Sequence, residues 1–404
     1  MNPSNFLILL SFTAVLIGAR LHTEHTLRHL APDTQSSSDS QEQIKQLTLE
    51  NEQLRHDNSS LKALLSAEAP VEIPAELVTF VEKDLALNFS TPPLALLANE
   101  DQLRDAAGQI WLAAFSEAGL EMRSYAFDML GINPPNLNFM GQVIAAQTVG
   151  AIGIYDHSAG EILLATGFDP ENIHHQAALV RLLALALLEN AHPLALQLTD
   201  DQFHTRQSLH GGRASQIQER FYSLQARHIG FVDQVENTDA VEIFLSLAPY
   251  VRDITTFPHT FGTDFLAKLP SKEAVSNALS DDSIPTFNLL FPREIQKTST
   301  FIKDVNLQLD TQLGALTVRS VLSQLETPST NKLVEHLLSA SLTIETNEKQ
   351  QAITRWSLEW NDKISADTFL AHAQQIASAM EKVPTITQAG NTVTLTVTDG
   401  YKVE

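Results

Sequence analysis

With 404 residues, 43% of them hydrophobic, the chain holds enough apolar material for one large domain or two ordinary ones behind a tail. Its formal net charge of -22, with no Lys/Arg run, excludes a nucleic-acid partner, because phosphate backbones demand clustered cations. The absence of cysteine removes disulfides, thiolate metal sites, thiol nucleophiles and lipid attachment through a thiol.

The apolar run from Phe6 to Ala19 has the length of a signal h-region, short of a full spanning helix. Ile17 and the Ala19–Arg20 step make a poor cleavage site. The expectation is therefore a signal anchor or signal peptide with its flank over residues 1–32. As an anchor it makes a single pass of a bacterial inner membrane with the bulk of the chain in the periplasm; the alternative is secretion after cleavage. Arg20 and Arg28, behind the run, weaken that orientation under the positive-inside rule.

Residues 33–43 are small and polar, the composition of a linker. Over 44–67 a heptad emerges: Ile44, Asn51, Asn58 and Leu65 fall at a, and Leu47, Leu54 and Leu61 at d. Leucine at d with asparagine at a predicts a parallel coiled coil, hence a homodimer through residues 44–65; a lone solvated helix is the competing reading.

From Pro74 to about Leu120 apolar residues recur at three- and four-residue steps, which predicts helices with Trp111 and Phe115 in the core. VIAAQTVGAIGIYDHSAGEILLATG predicts two strands joined by a turn at Asp156, Ser158 and Gly160. Residues 177–188 are apolar except for Arg181, the pattern of a central buried helix. Further on, GALTVRSVLSQL predicts a helix, SLTIETNEKQQAITRWSLEW a hairpin, SADTFLAHAQQIASAM a helix capped by Ser365, and TITQAGNTVTLTV a second hairpin. The expected class is α+β, with one domain over 74–300 and a helix-and-hairpin part over 301–404.

The order GIYDHSAGEILL, central helix, LHGGRAS and FPHTFG resembles that of a bacterial family of zincin-like metallopeptidases, which read G-F-Y-D-P, H-E-L-x-H, E-G-D-A and F-P-Y-x-x-G. The resemblance runs from about residue 76 to 400, through QLGALTVRSVL and ITRWSLEWNDKISADTF. It implies a zincin-like domain, but places Arg181 and Leu185 at the two histidine ligands, Leu182 at the catalytic glutamate and Gly211 at the third ligand. Phe291 and Pro292 stand where a later His-Pro is expected. Zinc catalysis needs three protein ligands, an activated water and a carboxylate to take its proton. None of these residues supplies one, so no catalytic residue, metal or cofactor is expected.

His174, His175, His192, His204 and His210 lie near that vestigial site in sequence, either as ordinary surface or capping histidines or as parts of a relocated metal site. A guanidinium in an apolar helix requires an acidic partner. For Arg181 this is either an internal carboxylate or a bound carboxylate or phosphate, with Arg213 and His210 able to join either arrangement. Asp200 with Asp201, and Asp281 with Asp282, read as loop charges, and no G-x-S-x-G elbow, phosphate loop or dinucleotide fingerprint occurs. The expected function is that of a non-catalytic pseudopeptidase, membrane-tethered and dimeric, binding a peptide, protein or envelope component. An active hydrolase with a rearranged metal site and a purely structural envelope protein are the alternatives.

Overall fold

The computed structural model describes residues 70–399, apart from 135–136, 196–197, 230–237, 293–303, 305–306, 325–329, 379 and 381, and only the backbone of 226–229. All of them belong to the second of two units into which the chain divides, Glu68–Glu404. The expected anchor, linker and coiled coil lie outside the described residues. Among the described residues no helix is long and apolar enough to cross a membrane.

Helix α1 (Ala75–Leu85) and strand β1 (Ala95–Ala98) lead into α2 (Glu100–Met129). Asn99 and Gln102 open α2 with a reciprocal cap, each side chain accepting from the other's backbone N–H. The helix is interrupted at Ser116 (φ 60°), whose Oγ accepts from Gly119 N–H as the turn resumes. Trp111 and Phe115 are buried, as their spacing predicts, and both pack edge-on against Phe203. VIAAQT is not strand. It belongs to α3 (Phe139–Thr148), because Asn138 caps Gly141 N–H and the Ala-rich stretch behind it favours a helix.

The hairpin is thereby confined to β2 (Gly153–Asp156) and β3 (Glu161–Ala165). Its turn uses the expected residues: Asp156 Oδ1 accepts from the backbone N–H groups of Ser158 and Ala159, and Gly160 takes φ 70°. In sheet order β1-β3-β2, β3 pairs parallel with β1 and antiparallel with β2.

The Arg181 run forms α4 (Ile173–Ala191), started by Asn172, whose side chain accepts from His174 N–H. It packs beside α5 (Asp200–Ile229). An apolar cluster joins α1, the sheet, α4 and the Ala214–Phe221 stretch of α5, which is why α4 is buried on nearly every face. Then follow α6 (Thr238–Ser246), α7 (Pro249–Phe257), a π-helical turn (Pro258–Gly262), α8 (Thr263–Lys268), α9 (Lys272–Leu279) and α10 (Thr286–Leu290). The π turn meets α5 backbone to backbone: a Cβ on Gly212 would lie 2.6 Å from the Gly262 carbonyl carbon, and one on Gly262 would collide with the Ser208 carbonyl.

The chain continues through β4 (Leu309–Gln312), α11 (Gly314–Ser323), α12 (Thr330–Val334), β5 (Leu337–Thr346), β6 (Ala352–Trp360), α13 (Lys363–Ser378), β7 (Thr385–Ala389) and β8 (Thr392–Asp399). Both predicted hairpins form within one antiparallel sheet of order β4-β5-β6-β8-β7. The α13 cap differs from expectation. Asp362 accepts from both Ser365 N–H (2.8 Å) and Ser365 Oγ–H (3.0 Å), so the residue ahead of the helix is the cap and Ser365 lies in the first turn. Phe369 of α13 packs on Trp356 and Trp360 of β6. A second apolar cluster runs from Trp111 through Tyr250 and Leu316 to Trp356, crossing residue 300 without a break. The architecture is α+β.

Candidate functional site

A cavity of about 320 Å³ opens where α2, α4, α5, β2 and the π turn converge. Arg181, Leu182 and Leu185 line it from α4, since steps of three and four bring side chains to one helix face. Gly211 lines it from α5, with Gln207 one turn away. All the positions that the resemblance assigns to a lost metal centre thus meet in one place. Pro258 sits against Gly211, where a Cβ would lie 3.0 Å from the proline Cβ, so a side chain there would require Pro258 to give way slightly.

Arg181 keeps some exposed area yet is enclosed by protein, as befits a side chain whose remaining surface opens onto the cavity. Burial alone lowers its pKa. Its Nε makes no hydrogen bond, and among the described residues no carboxylate pairs with it. Gln207 Nε2 is a second buried donor on the same cavity without a partner.

The carboxylate that does line the cavity, Glu189, is already engaged. Arg206 donates to its Oε2 at 2.8 Å and His210 Nδ1 lies 2.8 Å from its Oε1. Burial pushes Glu189 up, but the His210 hydrogen bond and the charges of His210, Arg206 and His157 outweigh it and hold the pKa at about 2. His210 Nε2 faces the Leu279 carbonyl at 3.2 Å, so both ring nitrogens meet acceptors. Arg206 also donates to the His192 carbonyl and lies 3.6 Å from Asp282. His157, beside Tyr155 in the hairpin turn, has its pKa lowered by burial.

His204 and His259 complete the polar lining. Thr317 donates to the Leu313 carbonyl, so it accepts from Tyr250, and Tyr250 in turn accepts from His204 Nε2–H at 3.1 Å. Burial lowers the His204 pKa to about 4 and so keeps the ring neutral. His259 is exposed, which places it at the cavity mouth; burial of its inner side and then the Arg181 charge lower its pKa to about 4. Its Nδ1 lies 2.9 Å from Ser215 Oγ, whose proton is directed at the Gly211 carbonyl. This serine–histidine contact lacks a carboxylate to orient the ring, and the serine is tied to its own helix.

The other sequence candidates separate. Arg213 turns away to Asp84 (2.6 Å), whose second oxygen binds Arg220 (2.6 Å). His174 stacks on Tyr222, His175 accepts from Asp169 N–H, and His192 lies beside the His210 ring at 6.1 Å. Among the described residues, no group of three or more His, Asp or Glu side chains could hold a metal ion. Phe291 and Pro292 close α10 and do not line the cavity. Asp200 and Asp201 are not loop charges: they open α5 fully buried, because Arg123 binds Asp200 through Nε and Nη2 at about 2.9 Å and Thr286 binds Asp201. Asp281 behaves as a loop residue, accepting from Ser283 N–H.

Sequence reasoning missed His157, Glu189, Gln207 and His259 as cavity residues. The signal for His157 and His259 was present, since each sits inside a segment that carries the resemblance, YDHSAG and FPHTFG. Glu189 follows Arg181 by two helical turns, a spacing that puts both on the same side of α4. Comparison of the chain with protein-family models, curated proteins and solved structures finds no match.

Proposed function

We propose that this chain is a non-catalytic relative of the zincin-like metallopeptidases, a pseudopeptidase that binds a peptide, protein or envelope component where a peptidase would cleave one. The reading is carried by one observation: Arg181, Leu182, Leu185 and Gly211 line a single cavity of about 320 Å³. At those positions the chemistry of hydrolysis has no parts, since leucine offers no lone pair, glycine offers no side chain, and a guanidinium repels a dication. The carboxylate that lines the cavity, Glu189, is occupied by Arg206 and His210 and is not available to take a proton from water. In this reading the Phe6–Ala19 run tethers the protein to a bacterial inner membrane, and residues 44–65 pair two copies in parallel.

The test is the metal content of the purified full chain together with its hydrolysis of casein and a mixed peptide pool, with and without chelator. Substoichiometric zinc and no chelator-sensitive cleavage are expected. Stoichiometric zinc with cleavage that a chelator abolishes would overturn the reading in favour of a rearranged hydrolase.

A further inference from the structure

The cavity carries a chemical bias of its own. Two of its buried donors, Arg181 Nε and Gln207 Nε2, have no partner among the described residues, while its carboxylate is engaged by Arg206 and His210. A buried donor left unsatisfied costs free energy, and a charged one costs more. A site with a lone cation and an idle amide N–H is therefore shaped for an acceptor that bears negative charge. Zinc would meet the Arg181 charge and, among the described residues, no group of three ligating side chains able to hold it.

The mouth adds a second preference. With the Ser215 proton directed at the Gly211 carbonyl, Ser215 Oγ accepts from His259 Nδ1–H, which leaves His259 Nε2 as a bare acceptor. Burial of its inner side, and then the charge of Arg181, disfavour protonation of that ring, so the acceptor persists through neutral pH. Between these polar groups the walls are apolar, with Trp111, Val143, Leu182, Leu185 and Ile254.

We infer that the cavity seats a carboxylate on an apolar body: Arg181 and Gln207 donate to the carboxylate, and His259 Nε2 accepts from an N–H beside it. This inference rests on the non-catalytic reading above and names the ligand class for the same site. A peptide's C-terminal residue and a free aliphatic acid share the carboxylate and the apolar body, but only the first brings the N–H. Phosphate brings charge without an apolar body and fits less well.

Calorimetric titration of the full chain with N-acetyl-L-leucine, N-acetyl-L-leucinamide, 4-methylpentanoate and inorganic phosphate tests this. N-acetyl-L-leucine is expected to bind roughly tenfold or more tighter than its amide, which lacks the charge that Arg181 meets. Arg181→Gln should remove that difference, and His259→Phe should bring N-acetyl-L-leucine down to the level of 4-methylpentanoate. Tighter binding of N-acetyl-L-leucine than of 4-methylpentanoate assigns a peptide end; the reverse assigns a free acid and takes His259 out of the seat. Equal binding of acid and amide by the wild-type chain, or no binding of either acid, overturns the inference without needing any variant to fold. A chain that is metal-free and inactive yet binds no acid loses this inference alone. A chain that cleaves peptides with zinc loses the reading beneath it.

Discussion

Buried guanidinium groups in this protein meet different fates. Arg123 has Asp200 and the face of Phe115, 3.8 Å from the ring centroid, and Arg206 has Glu189 and Asp282. Among the described residues Arg181 has neither carboxylate nor ring, so its charge is held against a desolvation cost that the other two offset by pairing. His204 shows the same logic with a titratable group. Its folded pKa of about 4 lies below the unfolded value near 6.5, so the unfolded chain binds the proton more tightly. Its contribution is fully present above about pH 6.5 and is lost as pH falls toward 4, by on the order of 3 kcal/mol. Asp201, raised to about 6 by burial, works in the opposite direction, losing its contribution as pH rises through that value. A comparison of variants is therefore needed. Urea denaturation at pH 7 and pH 5 should show wild type losing more stability on acidification than His204→Asn. Identical pH dependence of the two proteins would mean that His204 is not held neutral by its environment.

Among the elements, α5 and the π turn are joined by the closest packing around the site. Gly212 and Gly262 allow the two backbones to touch, which brings Pro258 and His259 to the cavity edge. A side chain at Gly262 has no route past the Ser208 carbonyl, so Gly262→Ala should lower stability by more than about 2 kcal/mol in thermal melts. Gly167, with nothing within 4 Å of its Cβ position, is the control, and Gly167→Ala should change little. Equal melts for the two variants would show that the turn packs less closely than described. The segments of this contact, LHGGRAS and FPHTFG, were legible as an order of motifs, whereas their packing was not, because it depends on backbone separation across residues remote in sequence. Element type followed periodicity where one period dominated, as in α1 and the β5–β6 hairpin. It failed at VIAAQT, where an unbroken apolar run suits strand and helix alike and only the Asn138 cap decides. Asp200 and Asp201 were read as surface for a related reason: the partners that bury them, Arg123, Thr311 and Thr286, come from distant elements.

At the scale of the whole molecule, a domain with two extensive apolar clusters can carry an uncompensated charge at the site proposed to take a ligand. The sequence alone made Arg181 visible as the sole charge in an apolar helix, and it left open whether the partner was internal. Among the described residues, the fold answers with a cavity whose lining carboxylate, Glu189, is paired with Arg206 and His210, and with no carboxylate paired to Arg181. Binding sites commonly hold such local cost, which a ligand then relieves. The direct measurement is the unfolding free energy of the ligand-free full chain against Arg181→Met, a change that keeps the aliphatic stem and removes the charge. Relief of an unpaired buried cation predicts that Arg181→Met is more stable than wild type by about 1–4 kcal/mol. A loss of about 3 kcal/mol or more would instead reveal an internal carboxylate left without its partner, and would contradict a cavity held open for a ligand.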